Sequence, residues 1–368
     1  MILHKLRLSH FRNFSNLEMH FSPGINSIIG KNGHGKTNLL ESIFCLALSK
    51  SFRTANDADL VQLGQSSFEI HGTLISELAV ENELAIVYLD GKKSVRQNQK
   101  RLPRHSALIG IAPMVLFSPE DHRVTSGSPA ERRLFLDVLL SQADQKYLSA
   151  LQSYARIVRQ RNRLLSLIAE GEQSPAQLDS WDAAIVPSGM VLIEARNAFL
   201  QQIEAQLQKT YTEISGNSVR LHAQYRFAED AVIEDDESYV RTLQQQHNRE
   251  IKRKQTLVGP HRDDVVFVLG ERDVKKHASR GEQKSVLLAL KIIEFEYLKN
   301  KKQSTPIFLI DDLQSELDEG RQVNLLSRLT DIGQTFITST EQMQPRGRED
   351  SAYVVDNGTL KPMSDSQT

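Results

Sequence analysis

The run Gly30-Lys31-Asn32-Gly33-His34-Gly35-Lys36-Thr37 has the spacing G-x-x-x-x-G-K-T, and no other feature constrains the chain as tightly. Glycines at these places let backbone amides turn inward around phosphate oxygens, with no Cβ in the way. Lys36 supplies a point charge for β- and γ-phosphates, and the Thr37 hydroxyl can ligate Mg²⁺. Such a loop needs a strand before it and a helix after it. Residues 25–29, Ile-Asn-Ser-Ile-Ile, read as a short buried strand ending on Gly30. From Thr37 the apolar residues Leu39, Leu40, Ile43, Phe44 and Ala47 recur with helical period. That helix adds its positive N-terminal end to a phosphate site spanning residues 30–37.

Ile307-Phe308-Leu309-Ile310-Asp311-Asp312 has the make-up of a buried strand carrying two acids at its carboxyl end. There Asp311 can hold Mg²⁺ through water, and Asp312 can orient or deprotonate an attacking water. Four apolar residues before two acids are common by themselves; pairing with the phosphate loop gives them meaning. Asp311 follows Lys36 by 275 positions, with a long helical segment between. An insertion of that size within a nucleotide fold marks ABC-type ATPases, especially their SMC-like branch.

Ser279-Arg280-Gly281-Glu282-Gln283, just ahead of a helical run, resembles the ABC signature motif. In such a motif Ser279 and Gly281 would meet the γ-phosphate held by a second subunit, at a helix N-terminus. A serine capping an ordinary helix is the plainer alternative, and the position upstream of Asp311 favours the signature. Glu282 would repel a phosphate, so its side chain is expected to point away. Ser315-Glu316-Leu317-Asp318 looks like the D-loop that crosses a dimer seam, with Asp318 at the nucleotide. Thr340 stands where ABC proteins usually carry a switch histidine, and residues 117–121 are where a Q-loop is sought.

The rest of the chain reads as α/β. Leu6 and Leu8, then Leu17, Met19 and Phe21, alternate as half-buried strands do, and Asp90-Gly91 signals a hairpin. Ser128-Pro129-Ala130-Glu131 is a capping box with proline at the first helical position. A helix of ~40 residues, roughly 60 Å, is expected from there to Gly171. A second run through Trp181, Ile185, Leu192, Phe199, Ile203 and Leu207 completes an antiparallel arm, kinked at Pro187 and Gly189. The expected architecture is an ABC-type ATPase head with an inserted helical arm domain, or lobe II. The boundaries are 1–127 for the phosphate-loop part of lobe I, 128–250 for the arm, and 251–368 for the part holding signature and Asp311.

Cys45 is the only cysteine, so no intramolecular disulfide is possible and a reducing compartment is expected. No h-region follows the N-terminal Met1-Ile2-Leu3-His4-Lys5, and no stretch approaches the ~18 apolar residues of a membrane span. A cytoplasmic protein without membrane attachment is expected. Net charge is −1, which does not advertise a polyanion partner. Basic residues nevertheless cluster: Lys92, Lys93, Arg96, Lys100, Arg101 and Arg104; Arg156, Arg159 and Arg163 at 3,4 spacing; and Arg249, Lys252, Arg253 and Lys254. Solvated faces balanced by acids elsewhere explain any one of them equally well.

Further runs make the resemblance specific. Phe11-Arg12-Asn13, Pro23-Gly24-Ile25-Asn26, Ser51-Phe52-Arg53-Thr54, Phe117-Ser118-Pro119-Glu120-Asp121, Glu131-Arg132-Arg133, Val258-Gly259-Pro260-His261-Arg262-Asp263-Asp264 and the Asp311-Asp312 pair resemble the RecF family along nearly the whole chain. Glu282 departs from the glutamine common there. The resemblance implies an ATP- and Mg²⁺-dependent DNA-binding protein that dimerises around two ATPs and favours gapped or junction DNA. It also implies partnership with RecR and RecO in loading RecA on single strands. Lys92, Lys93, Arg96, Arg156, Arg159 and Arg163 are the expected DNA contacts. The alternatives are the ATPase subunit of an ABC transporter, an SMC-type chromosome ATPase, and a DNA-binding protein with a vestigial nucleotide site.

Overall fold

In the computed structural model, which describes residues 1–312, 333–341 and 350–363, the chain divides into two compact units. The first comprises residues 1–121 and 294–368, the second residues 122–293.

The first unit is built on two sheets. Strands β1 (Ile2–Phe11), β2 (Phe14–His20), β4 (Ser67–Ile75), β5 (Glu81–Leu89), β6 (Lys92–Gln97) and β7 (Lys100–Arg101) form an antiparallel sheet in the order β2-β1-β4-β5-β6-β7. Its strands alternate in burial, with Leu6, Leu8, Ile70, Leu84, Ile86 and Val95 facing inward. The expected Asp90-Gly91 hairpin joins β5 to β6, both residues at positive φ, as a tight two-residue turn requires. The second sheet comprises β3 (Ile25–Ile29), β8 (Met114–Phe117), β12 (Ile307–Ile310), β13 (Thr335–Ser339), β14 (Ser351–Asp356) and β15 (Thr359–Pro362), ordered β15-β14-β3-β13-β12-β8. All its pairings are parallel except that of β14 with β15. The helix α1 (Lys36–Leu48) is buried from Leu39 onward. A Cβ on Gly72 of β4 would lie 2.5 Å from Leu46 of α1, so this close approach needs glycine.

Strands β8 and β12 are parallel neighbours in register, Met114 opposite Ile307 and Phe117 opposite Ile310. A parallel pair needs a crossover, and here that crossover contains the entire second unit. The wide separation of Lys36 from Asp311 is therefore an insertion between adjacent strands.

The second unit holds α2 (His122–Ser126), α3 (Pro129–Ala143), α4 (Gln145–Ala169), α5 (Leu178–Ser215), α6 (Asp236–Arg253), α7 (Val274–His277) and the start of α8 (Arg280–Lys302). A small antiparallel sheet β11-β10-β9 comprises β9 (Leu221–Arg226), β10 (Asp264–Leu269) and β11 (Arg272–Asp273). Two expectations change here. The ~40-residue helix is broken at Asp144, whose extended backbone ends α3 and whose carboxylate caps the Lys146 amide of α4. Residues 251–293 group with the arm rather than with Asp311, because β10 pairs with β9 from Asp264↔Arg226 to Leu269↔Leu221. The run through Pro187 and Gly189 forms the single helix α5, and a Cβ on Gly189 would lie 2.6 Å from the Tyr239 ring.

Helices α4 and α5 run antiparallel, since Arg161 meets Asp182 near their junction and Tyr147 meets Arg196 at the far end. Helix α5 is long and apolar enough to cross a membrane by length and composition alone, and half of its apolar window is buried. Its buried charges make it instead the core helix of this unit. Arg161, fully buried, bonds Asp182 and Thr256 and lies 2.7 Å from Glu250. Arg196 bonds Asp137, the Tyr147 hydroxyl and the Pro260 carbonyl.

The Gly259-to-Asp264 run folds into the same interior. Gly259 has φ of 120°, and a Cβ there would lie 2.1 and 2.3 Å from the Tyr239 and Tyr154 hydroxyls. Burial pushes His261 down to about 3, so the ring is neutral. Its Nε2–H donates to the Thr256 carbonyl, and Nδ1 accepts from Tyr154. Asp263 accepts from Tyr225 and the Ala228 amide, while Asp264 takes both arms of Arg132. The run is a structural hub.

Arg161→Leu strands Asp182 and Glu250 as buried carboxylates without their cation, so it should cost about 3–5 kcal/mol. Urea unfolding of the variant measures this; a loss below 1 kcal/mol would contradict the account.

Candidate nucleotide-binding site

Strands β3, β8, β12, β13 and β14 are parallel, so their carboxyl ends lie along one edge of the sheet. Open α/β sheets bind ligands at that edge. β3 delivers the glycine loop, β12 delivers Asp311 and Asp312, and β13 delivers Thr338 and Ser339.

The loop is shaped by its own glycines and by a brace. Gly33 and Gly35 sit at φ of 83° and 113°, and a Cβ on Gly35 would fall 2.5 Å from the Asn13 side chain. Asn13 donates to the His34 carbonyl and accepts from Asn38 of α1. Arg12 beside it clasps the buried Glu41 of α1 with two bonds of 2.8 and 2.7 Å, and Ser51 donates to the same carboxylate. Arg53 reaches Asn38. The runs around Arg12 and Ser51 thus hold the start of α1, a role their residue types did not reveal.

Lys36 is buried, its ammonium 2.7 Å from the Gly30 carbonyl and 3.1 Å from that of Lys31. Burial lowers its proton affinity, and Asp312 and Asp311 oppose that shift. Asp311 is 5% exposed. Its Oδ1 accepts from Thr37 at 3.0 Å and Thr338 at 2.7 Å, which leaves Oδ2 for a cation. The Asp312 amide donates to Thr338 Oγ1, and Asp312 takes a left-handed backbone with φ of 53°. Burial raises the Asp311 pKa, which the two hydroxyls partly offset; the neighbouring Asp312 and Glu120 charges raise it further. Loop, lysine, hydroxyl and acid therefore lie together. A buried carboxylate with a free oxygen beside the Thr37 hydroxyl suits a hard dication. Thr338 was missed, because a threonine inside a buried strand carries no sequence signal for such a role.

Other expected residues fall elsewhere. Lys31, Asn32 and Gly33 are exposed on the loop, and His34 pairs with Asp356 at 3.0 Å. Thr340 is exposed, and Glu120 in the segment searched for a Q-loop acts on Asp311 through its charge. Asp318, with Ser315, Glu316 and Leu317, lies outside the described residues, as does the tail after Met363. Ser279 is exposed in the second unit at the start of α8. Glu282 turns back to accept from the Ser279 amide at 2.7 Å, while its own amide donates to Ser279 Oγ. This is a capping box, and it leaves the Ser279 hydroxyl proton free to donate. Among the basic residues, Lys92 and Arg96 are exposed on β6, and Arg156, Arg159 and Arg163 are exposed on α4. Lys93 departs from the expected role. Its ammonium is held by Asp57 and the Ser49 carbonyl, both within 2.8 Å.

The raised Asp311 pKa has a defined sign. Its stabilising share is complete below the unfolded pKa of ~3.9 and is lost as pH rises through the raised folded value. At neutral pH the buried charge is a cost, so Asp311→Asn should raise the nucleotide-free melting temperature. The gap should close toward pH 4. Equal melting curves from pH 4 to 8 would contradict this.

Over residues 2–359 the chain matches the RecF/RecN/SMC N terminal domain family. The DNA replication and repair protein RecF of Ligilactobacillus salivarius is 35% identical over 98% of this chain and 97% of its own length. That of Heliobacterium modesticaldum is 38% identical over 92% of each. A solved structure of the recombination mediator protein RecF with ATP superposes with a TM-score of 0.91 at 29% identity, covering 98% of this chain and 97% of the other. The Smc head domain of Pyrococcus furiosus superposes at 0.54 with 17% identity, covering 98% and 95%, which speaks to fold alone. The fold is that of an ABC-type ATPase head, and with sequence and backbone in agreement over nearly the whole length, the chain belongs to the RecF family.

Proposed function

We propose that the chain is an ATP-dependent DNA-binding protein of DNA replication and recombinational repair. The observation that carries the nucleotide reading is the convergence of Lys36, Thr37 and Thr338 around the buried Asp311. ATP sits with its β- and γ-phosphates on residues 30–37, and Lys36 leaves the loop carbonyls for phosphate oxygens. Thr37 and Asp311 would hold Mg²⁺, which when bound neutralises charge on the β- and γ-phosphate oxygens. Asp312 orients the attacking water. Hydrolysis is slow, because an aspartate reaches one methylene less far than a glutamate and Thr340 offers no imidazole.

A second copy of the chain contributes Ser279 and Gly281 to the γ-phosphate, with Asp318 beside them. The Ser279 hydroxyl, positioned by the capping box with Glu282, is suited to donate. ATP thus closes a dimer on DNA, and loss of the γ-phosphate reopens it. The DNA is gapped or carries a single-strand junction. RecR is the direct partner, and RecO and RecA act after it, in the cytoplasm. Exposed Lys92, Arg96, Arg156, Arg159 and Arg163 offer phosphate contacts, whereas Lys93 serves the fold.

Lys36→Ala should abolish ATP binding in a fluorescent-nucleotide titration. Ser279→Ala should bind ATP as the unaltered protein does, yet remain monomeric with ATP in light scattering. ATP-dependent dimers of Ser279→Ala would rule out the role in trans.

A further inference from the structure

The solvent face of the antiparallel sheet carries a cation row that joins Arg7 to two members of a sequence cluster, Arg96 and Arg101. Strand register places Arg7 of β1 opposite His71 of β4, His71 opposite Ala85 of β5, Ala85 opposite Arg96 of β6, and Arg96 opposite Arg101 of β7. Residues directly opposite share a face, so these five form one straight rung. Four steps of ~4.8 Å make it roughly 19 Å long. Arg7, Arg96 and Arg101 are exposed. A groove of about 240 Å³ crosses the same face, with the small Ala85 in its floor and Arg7, His71 and Arg96 in its walls.

Cations outnumber acids along the rung. Glu18 of β2 lies opposite Arg7 and is bonded by Lys5, and Glu69 is bonded by His71. Arg7, Arg96 and Arg101 make no hydrogen bond or ion pair among the described residues, and Glu83 is the only acid in the groove lining. Arg96 directly opposite Arg101 is a like-charge cross-strand pair, which destabilises a sheet. A merely solvated face would gain from an acid at either place. An external polyanion turns the repulsion into attraction.

We propose that this rung and its groove bind the phosphodiester backbone of nucleic acid. Guanidinium forks match phosphate oxygens, and a duplex presents a charge about every 1.7 Å of its axis, so a row of this length meets several phosphates at once. The assignment rests on the DNA-binding reading above but adds Arg7, which lies in no sequence cluster, and aligns it with Arg96 and Arg101 of one cluster.

The test is fluorescence anisotropy with a labelled DNA duplex across a salt series. It compares the unaltered protein, the triple variant Arg7→Ala, Arg96→Ala, Arg101→Ala, and the α4 variant Arg156→Ala, Arg159→Ala, Arg163→Ala. The sheet variant should weaken binding at least tenfold near 0.1 M salt and flatten the slope of log K against log salt by about 2 to 3. Its ATP binding should be unchanged, and its melting temperature little changed, since the Arg96–Arg101 repulsion and the Arg7–Glu18 attraction are removed together. An unchanged slope, with the unaltered protein binding DNA, overturns the rung alone; loss confined to the α4 variant does the same. Failure of the unaltered protein to bind DNA at low salt overturns the DNA reading and the rung together. Competition by polyglutamate as effective per charge as by duplex would give this face to an acidic protein partner and overturn the proposal.

Discussion

The nucleotide site depends on one carboxylate. Asp311 ends a buried strand, and its Oδ1 takes hydroxyl bonds from the first turn of α1 and from the neighbouring strand β13. Those two bonds tie together the three elements that any phosphate-binding geometry here must hold in register. They also favour the ionised form of a group whose burial favours the neutral one. The raised Asp311 pKa marks an electrostatic cost at the site, and such stored cost is common where binding is the task.

Everything around that carboxylate is arranged by parallel pairing. Five strands pointing one way bring the glycine loop, the two acids and Thr338 to a single edge, although they come from chain positions as far apart as 30 and 338. The same topology explains why a unit of some 170 residues can be inserted without disturbing the site. It enters after β8 and returns before β12, and the crossover between parallel neighbours had to be long in any case.

The second unit solves a different problem. Its helices bury charged pairs as well as apolar stripes: Arg161 with Asp182 and Glu250, and Arg196 with Asp137 and Tyr147. The Gly259-to-Asp264 run threads between these clusters, with its glycine beneath two tyrosine hydroxyls and its histidine held neutral by burial. The run is part of the interior. Hydrogen bonds to backbone carbonyls, such as Arg196 to Pro260, fix it there.

Local chemistry was legible in the sequence. A glycine loop needs a strand and a helix beside it whatever the rest of the chain does, and capping boxes, the Asp90-Gly91 turn and helical periods are likewise short-range rules. Residues 30–37, Asp311 and Asp312 could therefore be read directly. Contacts between distant positions could not. Nothing near Asn13 marks it as the prop of the loop at Gly35, and nothing in Thr338 distinguishes it from any threonine in a buried strand. The break of the first long helix at Asp144, the capture of Lys93 by Asp57, and the grouping of residues 251–293 with the arm were decided by packing and pairing across the chain. The rung of Arg7, Arg96 and Arg101 is of the same kind. Residues that lie 89 and 94 positions from Arg7 become its neighbours on one face only when strand register is set, and register is a property of the folded sheet.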